Sequence, residues 1–396
     1  MLKDKIRQLA KAYHQDVIGI RRRIHEHPEL SFQEVETGKL IAAKLAEYGI
    51  PYEHGMAGNG VVGLIEGRNG SDRVVALRAD MDALPIEEAN EVPYKSKNPG
   101  VMHACGHDVH TASLLGAARI LNELRGEFDG TIKLIFQPGE ELLPGGASIM
   151  IKEGVLEAPR PASIIGQHVH PPLAAGKVGM RAGQYMASAD ELYVTVKGRG
   201  GHGALPHDCI DPIVIAAHII TALQQVVSRN ADPHTPSVVT FGYIASKGGA
   251  TNIIPNEVRM EGTFRTMDET WRFRAHELMK KMAESIAEGM GGSCDFVIDV
   301  GYPVLANDEA LTQKVRSCAE EYLGPENVVE LPPRMTAEDF AYFSQQLPAC
   351  FYRLGTGNPG KGITSPIHTN TFDIDEQCLE LSIGLMAWLA LKELEG

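Results

Sequence analysis

The run Met102–His110, reading MHACGHDVH, packs three histidines, a cysteine and an aspartate into nine residues. Thiolate and imidazole are good ligands for borderline-soft divalent ions such as zinc. Cys105 and His107 flank Gly106, a spacing that lets an irregular loop aim both side chains at one point. The same composition also fits a polar loop with a chance cluster of histidines, so metal binding is one of two readings. A second run, IKLIFQPGEE, carries an apolar strand into Pro138 and Gly139 and then into adjacent carboxylates, Glu140 and Glu141. In a regular strand these two would point to opposite faces. Proline and glycine break the strand, so both could face one cavity, one on a metal and one as general base. Alone, the pair reads more simply as a solvated acidic loop. Three further segments carry the same kinds of residue: LRADMDALP with Asp80 and Asp82, GQHVH with His168, and SPIHTN with His368. Each is weak singly, and their joint placement matters more.

That placement depends on the elements between them. Helical spacing over residues 3–27 and 32–48 is followed by short apolar runs at 61–66, 74–78, 131–137 and 162–169, with a helix over 109–124. Buried strands alternating with helices predict an α/β sheet with a substantial parallel component. From about residue 186 the texture changes. A strand over 192–197, a helix over 211–228, strands over 237–246 and 257–265, a helix over 269–289 and a strand over 294–300 follow in order. This β-α-β-β-α-β order is the ferredoxin-like pattern of an independent small α+β domain. Afterwards the first texture returns: helix 308–323, strand 328–331, helix 337–346, strand 350–354 and a last helix over 375–395. The expected architecture is one discontinuous α/β domain of mixed sheet, residues 1–185 and 301–396, with a second domain, 186–300, inserted into it. Four of the polar clusters then fall at strand ends of the first domain. In open parallel sheets, ligands collect outside the carboxyl ends of the strands.

Two glycine-rich segments are set aside. Gly198–Gly203 fits GxGxxG, but Pro206 and Asp208 follow before any helix begins, so it presents no helix N-terminus to a pyrophosphate. Gly355–Gly362 approaches a phosphate loop but has Gly362 where Ser or Thr must hold magnesium, and is expected to be a flexible surface loop.

The chain of 396 residues carries 37 basic and 51 acidic side chains, a formal charge of −14. That argues against a counterion-driven nucleic-acid binder or an anionic-membrane binder, which needs surplus positive charge. The six cysteines (Cys105, Cys209, Cys294, Cys318, Cys350, Cys378) form no CxxC pair, which favours free thiols in a reducing compartment. No signal peptide is visible, and polar residues interrupt every long apolar run, so the expected location is the cytoplasm.

The motifs RADMDALP, MHACGHDVHTA, FQPGEE, GQHVHP, GRGGHGALPH, NIIPNEV, TAEDFAYF and SPIHTNTFDID, in this order along the chain, resemble the aminoacylase–carboxypeptidase superfamily of dinuclear metallohydrolases. More narrowly they resemble its hippurate hydrolase and indole-acetyl-amino-acid amidohydrolase branch. The resemblance spans about residues 15–390. It implies hydrolysis of the amide bond of N-acyl-L-amino acids, such as N-acetyl or N-benzoyl derivatives. It also implies two divalent metal ions per subunit, zinc or manganese first, cobalt or nickel otherwise. Cys105 matches the thiolate between the two metals, and His107, Glu141, His168 and His368 match further ligands. Glu140 matches the general base acting on water, and Asp82 the aspartate that orients a ligand histidine. Asp80 stands where other branches carry histidine. His202 matches a histidine of the inserted domain that reaches the partner subunit's active site, and Asn252 a residue that holds the substrate carboxylate. A homodimer through the inserted domain, or a higher oligomer, is implied, with no nucleic-acid or membrane partner. Other readings remain. One is a metallo-dipeptidase or carboxypeptidase with the same site. Another is a non-catalytic binder of amino-acid conjugates. A third is a thiol-redox protein using Cys105, for which no resolving cysteine is nearby.

Overall fold

Strands buried on both faces cannot alternate polar with apolar residues, and the runs VVALRAD, TIKLIFQ and ACFYRLGTG do not. In the computed structural model, which describes residues 2–69 and 73–395, they form Val74–Asp80, Thr131–Gln137 and Ala349–Gly357, almost wholly buried. They belong to an eight-stranded mixed sheet. Its order is Tyr52–Met56, Gly60–Glu66, Thr131–Gln137, Val74–Asp80, Ser163–Ala174, Ala349–Gly357, Val178–Met180 and Val328–Glu330. The four central strands run parallel. Asp80 and Gln137 therefore end neighbouring strands, and Gly357 ends a parallel strand two places from Val74–Asp80, so the stretches that follow them leave from the same carboxyl end of the sheet. Leu2–Glu26, His107–Glu123 and Cys378–Glu395 contribute most of the helical part of the core.

The chain divides into two units. The first comprises residues up to Gly183, Ala306–Pro332 and the stretch from Asp339 onward. The second comprises Gln184–Leu305 and also Pro333–Glu338, a return segment that the order of elements did not signal. In the second unit Ser237–Ser246, Glu257–Thr266, Asp190–Lys197 and Ser293–Val300 make a four-stranded antiparallel sheet in that order. Asp190–Lys197 alternates buried and exposed residues, so one face meets the helices Pro212–Gln225 and Glu269–Gly289 and the other stays open. The fold class is the expected one, with ferredoxin-like order in the second unit.

Four local expectations change. The second helix begins at Val35, not residue 32, because Phe32 sits in the left-handed region at φ 65°. The helix expected over 337–346 shrinks to Ala341–Ser344. The Asp339 carboxylate is drawn inward instead, accepting from Arg78, Gln137 and the Ala147 N–H. Gly355–Gly357, expected in a surface loop, end a buried strand, and only the segment after them is exposed. Pro212–Asn230 is long and apolar enough to cross a membrane by length and composition, against the expectation that no such stretch exists. In the second unit Ile215, Ala216, Ile219, Leu223 and Val226 of this segment are buried in the core.

Asp190 holds the second unit's interior together. It accepts from Arg272 Nη2 at 2.5 Å and Nε at 3.0 Å, from His276 Nε2 at 2.7 Å and from the Gly301 N–H at 3.2 Å. Against the penalty of burial, His276 and Arg272 hold its carboxyl below the usual range. The contribution is complete above the unfolded value of about 3.9 and is lost as pH falls through the lower folded value. Asp190→Asn should therefore cost about 3–5 kcal/mol at pH 7. The stability difference between the two proteins, measured by denaturant unfolding, should shrink as the solution is acidified below pH 4; a difference that grows on acidification would contradict the assignment.

Candidate active site

The carboxyl ends of the central strands bring the polar clusters into one place. Cys105, His107 and His168 offer ligand atoms all within 4.8 Å of one another, and so do Cys105, Glu141 and His368. Cys105 Sγ stands 3.3 Å from Nε2 of both His168 and His368. Glu140 Oε2 and Glu141 Oε1 each lie 3.9 Å from His107 Nε2, so the two adjacent carboxylates face one point, not opposite sides.

Gly106 makes the crossing between Cys105 and His107 possible. It is left-handed at φ 83°, and a Cβ there would meet Val169 Cγ2 at 2.6 Å. Only glycine lets this loop approach the 163–174 strand closely enough to seat Cys105 beside His168. Helix His107–Glu123 starts at the next residue. On the far side, His368 is also left-handed, at φ 62°, with its N–H bonded to the Ala104 carbonyl at 2.8 Å.

Hydrogen bonds fix which ring nitrogen each histidine presents. His168 donates from Nδ1 to the Val169 carbonyl at 2.8 Å, which leaves Nε2 as a lone pair toward Cys105. Burial and the neighbouring Arg353 charge hold His168 well below its ordinary pKa, so it is neutral. His107 donates from Nδ1 to Asp82 Oδ1 at 3.0 Å, and its buried Nε2 has no hydrogen-bond partner. Despite burial, Asp80 and Asp82 raise His107 to about 10. Burial and the Glu141 and Glu140 carboxylates push the Cys105 thiol well up. The surrounding field thus favours positive charge at this spot. A donor set of thiol, imidazoles and carboxylates, buried except for half-buried Glu141 and exposed His368, with an orphaned imidazole nitrogen on His107, fits a divalent cation.

Asp82 is a hub: its Oδ2 also accepts from the Glu141 N–H at 2.9 Å and from Ser31 Oγ at 2.6 Å. Asp80 does not face the cluster freely. Arg78 Nη1 holds it at 2.6 Å and His110 donates to it from Nδ1 at 2.5 Å, while His110 Nε2 accepts the Val169 N–H at 2.9 Å. His110 is thus committed to a support beneath His168, a role its motif alone did not separate from that of a ligand. The i, i+3 spacing of His107 and His110 was the available sign that both lie on one helix face. His103 remains a buried histidine with no hydrogen-bond partner, lowered to about 3 by burial. Asp108 is turned away to Arg21 and His25 at 2.7 and 2.8 Å.

His202 and Asn252 lie in the second unit, beside each other. Gly201–His202 pairs with Ile253–Ile254, and the Gly203 N–H donates to the Asn252 carbonyl at 2.7 Å. His202 accepts the Ala204 N–H at Nδ1, 3.1 Å, so its exposed Nε2 carries the proton when the ring is neutral. The GxGxxG segment thus belongs to a short β-ribbon, and no helix opens from it.

A mixed α/β sheet whose parallel central strands end in such a donor cluster suits metal-dependent hydrolysis. The chain belongs to peptidase family M20/M25/M40, matching it over residues 76–392. It is 41% identical to thermostable carboxypeptidase 2 of Saccharolobus solfataricus over 99% of this chain and 98% of that one. It is 44% identical to an N-acyl-L-amino acid amidohydrolase of Geobacillus stearothermophilus, over 78% and 83% of the two chains. The crystal structure of a dinuclear metal-binding M20-family peptidase from Bacillus subtilis superposes with a TM-score of 0.84 at 38% identity, covering 97% of this chain and 99% of that one. The protein is accordingly a metal-dependent hydrolase of amide bonds.

Gly106→Ala tests the loop geometry. A left-handed non-glycine residue costs about 1–3 kcal/mol, and here the Cβ also meets Val169. The variant should melt lower and gain less stabilisation than the wild type from added divalent metal, with zinc, manganese, cobalt and nickel tried in turn. A metal-induced shift in melting temperature as large as that of the wild type would count against this placement of Cys105.

Proposed function

We propose that the protein hydrolyses N-acyl-L-amino acids, N-acetyl or N-benzoyl derivatives among them, to a carboxylic acid and a free amino acid. The observation that carries this reading is the turn on which Glu140 and Glu141 both face His107 Nε2. The similarity to an N-acyl-L-amino acid amidohydrolase supports the substrate class.

Two divalent ions per chain would be held by Cys105, His107 and His168 on one side and by Cys105, Glu141 and His368 on the other. When bound, such ions polarise an amide carbonyl as Lewis acids and make water more acidic. Thiolate with imidazole favours zinc, while the carboxylate-bearing side also suits manganese, cobalt or nickel. Asp82 fixes the tautomer of His107, and Asp80, through His110, supports the strand that carries His168. Glu140 takes the proton of the attacking water and returns it to the leaving amine. His202, with its proton on Nε2, donates to the oxyanion that develops, in the partner subunit of a homodimer built on the second unit. A donor of this kind is worth about 3 kcal/mol of barrier. Asn252, next to it, holds the substrate carboxylate. The six unpaired cysteines support a cytoplasmic location.

The similarity to a carboxypeptidase favours a second reading, in which the same machinery cuts peptides. Matched substrates separate the two: N-acetyl amino acids against dipeptides with a free α-amine, each with zinc, manganese, cobalt or nickel, followed by mass spectrometry. Release of amino acids from the acylated set is expected; exclusive cleavage of the free dipeptides would establish the second reading. Glu140→Gln should keep its metal content while kcat falls by about 10²–10⁴, and chelation of the wild type should abolish turnover until metal is restored. Undiminished turnover in Glu140→Gln would remove Glu140 as base.

A further inference from the structure

The turn that carries Glu140 and Glu141 is gripped by a segment with no part in the reaction described so far. Residues Glu29–Glu34 run beside it. Glu34 is fully buried, and its Oε1 accepts the Gly139 N–H at 2.7 Å. The Phe32 ring lies against the same glycine, where a Cβ would come within 2.4 Å of Cε1. Ser31 Oγ donates to Asp82 Oδ2, which also takes the Glu141 N–H. The segment thus reaches the turn by three routes, at the Gly139 amide, at the Gly139 α-carbon and, through Asp82, at the Glu141 amide.

The segment is itself held firmly. Phe32 is left-handed at φ 65°, and Asn59 Nδ2 donates to its carbonyl at 3.2 Å. The Glu29 carbonyl accepts the Ala83 N–H at 2.8 Å, next to Asp82. The Glu29 carboxylate accepts the N–H groups of Glu36 and Thr37 and so caps the helix that follows. Glu34, at the N-terminal start of that helix, makes no side-chain cap and turns its carboxylate to Gly139.

We propose that Glu34, assisted by Ser31, is a positioning residue for hydrolysis, fixing through Gly139 and Asp82 the direction in which Glu140 meets the attacking water. The inference rests on Glu140 as general base. The Glu34 carboxyl is wholly buried, with the Gly139 N–H as its closest donor. Burial and the nearby Asp82 raise the Glu34 carboxyl to about 7, which makes a neutral form accessible beside the acidic cluster. Glutamine reproduces that form closely, with one acceptor oxygen and one donor, whereas leucine keeps the bulk and loses the acceptor.

The test compares wild type, Glu34→Leu, Glu34→Gln, Ser31→Ala and Glu140→Gln, all loaded with the same metal. Turnover of an N-acetyl amino acid, metal per chain and melting temperature are measured for each. Glu34→Leu should lose kcat by about 100-fold, the scale of a misplaced reacting group. Its KM should stay within about threefold and its metal content should be unchanged, and Glu34→Gln should recover most of kcat. Glu34→Leu turning over at the wild-type rate, or Glu34→Gln falling as far as leucine, overturns the proposal. If Glu34→Leu does not fold, Ser31→Ala decides: a kcat loss of tenfold or more with metal retained supports it, and an unchanged kcat overturns it. A fully active Glu140→Gln would instead strike the reading of Glu140 as base. An active Glu34→Leu beside an inactive Glu140→Gln strikes the present inference alone.

Discussion

Negative charge buried where parallel strands end is the constraint around which the first unit is organised. Asp80 and Asp82 are almost fully buried, Glu140 is buried beside them, and Glu141 and the Cys105 thiol join the same cluster. An uncompensated carboxylate in such a place costs several kcal/mol, so each must have a partner. Arg78, wholly buried, divides itself between Asp80, Gln137 and Asp339 and so ties together two strands and the chain return at residue 339. His107 balances Asp82, while Arg78 supplies the charge at Asp80 and neutral His110 adds a hydrogen bond to it. What these partners leave over is a site whose field attracts a cation, and the orphaned Nε2 of His107 marks where it acts.

A second buried network fixes the approach to that site. Arg21 of the N-terminal helix and His25 one turn later both bind Asp108, the second residue of the helix that begins at His107. An aspartate in the first turn suits the helix dipole, but here its main work is positional. It locks the helix start onto a neighbouring helix, and His107 has little freedom left. His25 also reaches Glu88 at 3.3 Å, and Arg21 reaches Asp373 at 3.1 Å, in the segment just beyond His368. Loops that carry ligands on both sides of the cluster are therefore anchored to one helix. This is the rigid support a site needs when displacements of a fraction of an ångström matter.

Much of this was legible in sequence, and the reasons differ by residue. Strand alternation and helical period placed the α/β and ferredoxin-like elements because both patterns are local. Cys105, His107, Glu140, Glu141, His168 and His368 could be picked out because their residue types are rare in such runs and the motif order resembled a known family. The roles of Asp80 and His110 were less readable, since a ligand and a support use the same side chains and only the Val169 amide tells them apart. Glu34 and Ser31 gave no signal at all. They lie in an unremarkable polar stretch about a hundred residues before the turn that Glu34 grips, and such contacts are set by tertiary packing. Asp339 misled in the same way, its helical surroundings outweighed by three buried donors.

The backbone shows where local preference was overruled. Non-glycine residues rarely enter the left-handed region and pay about 1–2 kcal/mol to do so. Four do so among the described residues: Phe32, Ala57, Ala158 and His368. Phe32 presses on the turn of Glu140 and Glu141, and His368 completes the donor set around Cys105. Gly106 and Gly139, also left-handed, adjoin Cys105 and Glu140. His107 and His168 sit on a regular helix and a regular strand, and the other members of the cluster are brought to them by strained or glycine-hinged backbone. Regular elements set the directions of two imidazoles cheaply, because rotamers on them are few. Bringing a thiol, two carboxylates and a third imidazole to the same point requires backbone that no regular element offers. The strain therefore falls on the loops, and the buried hydrogen bonds of Asp82, Glu34 and Arg78 are what keep those loops from relaxing.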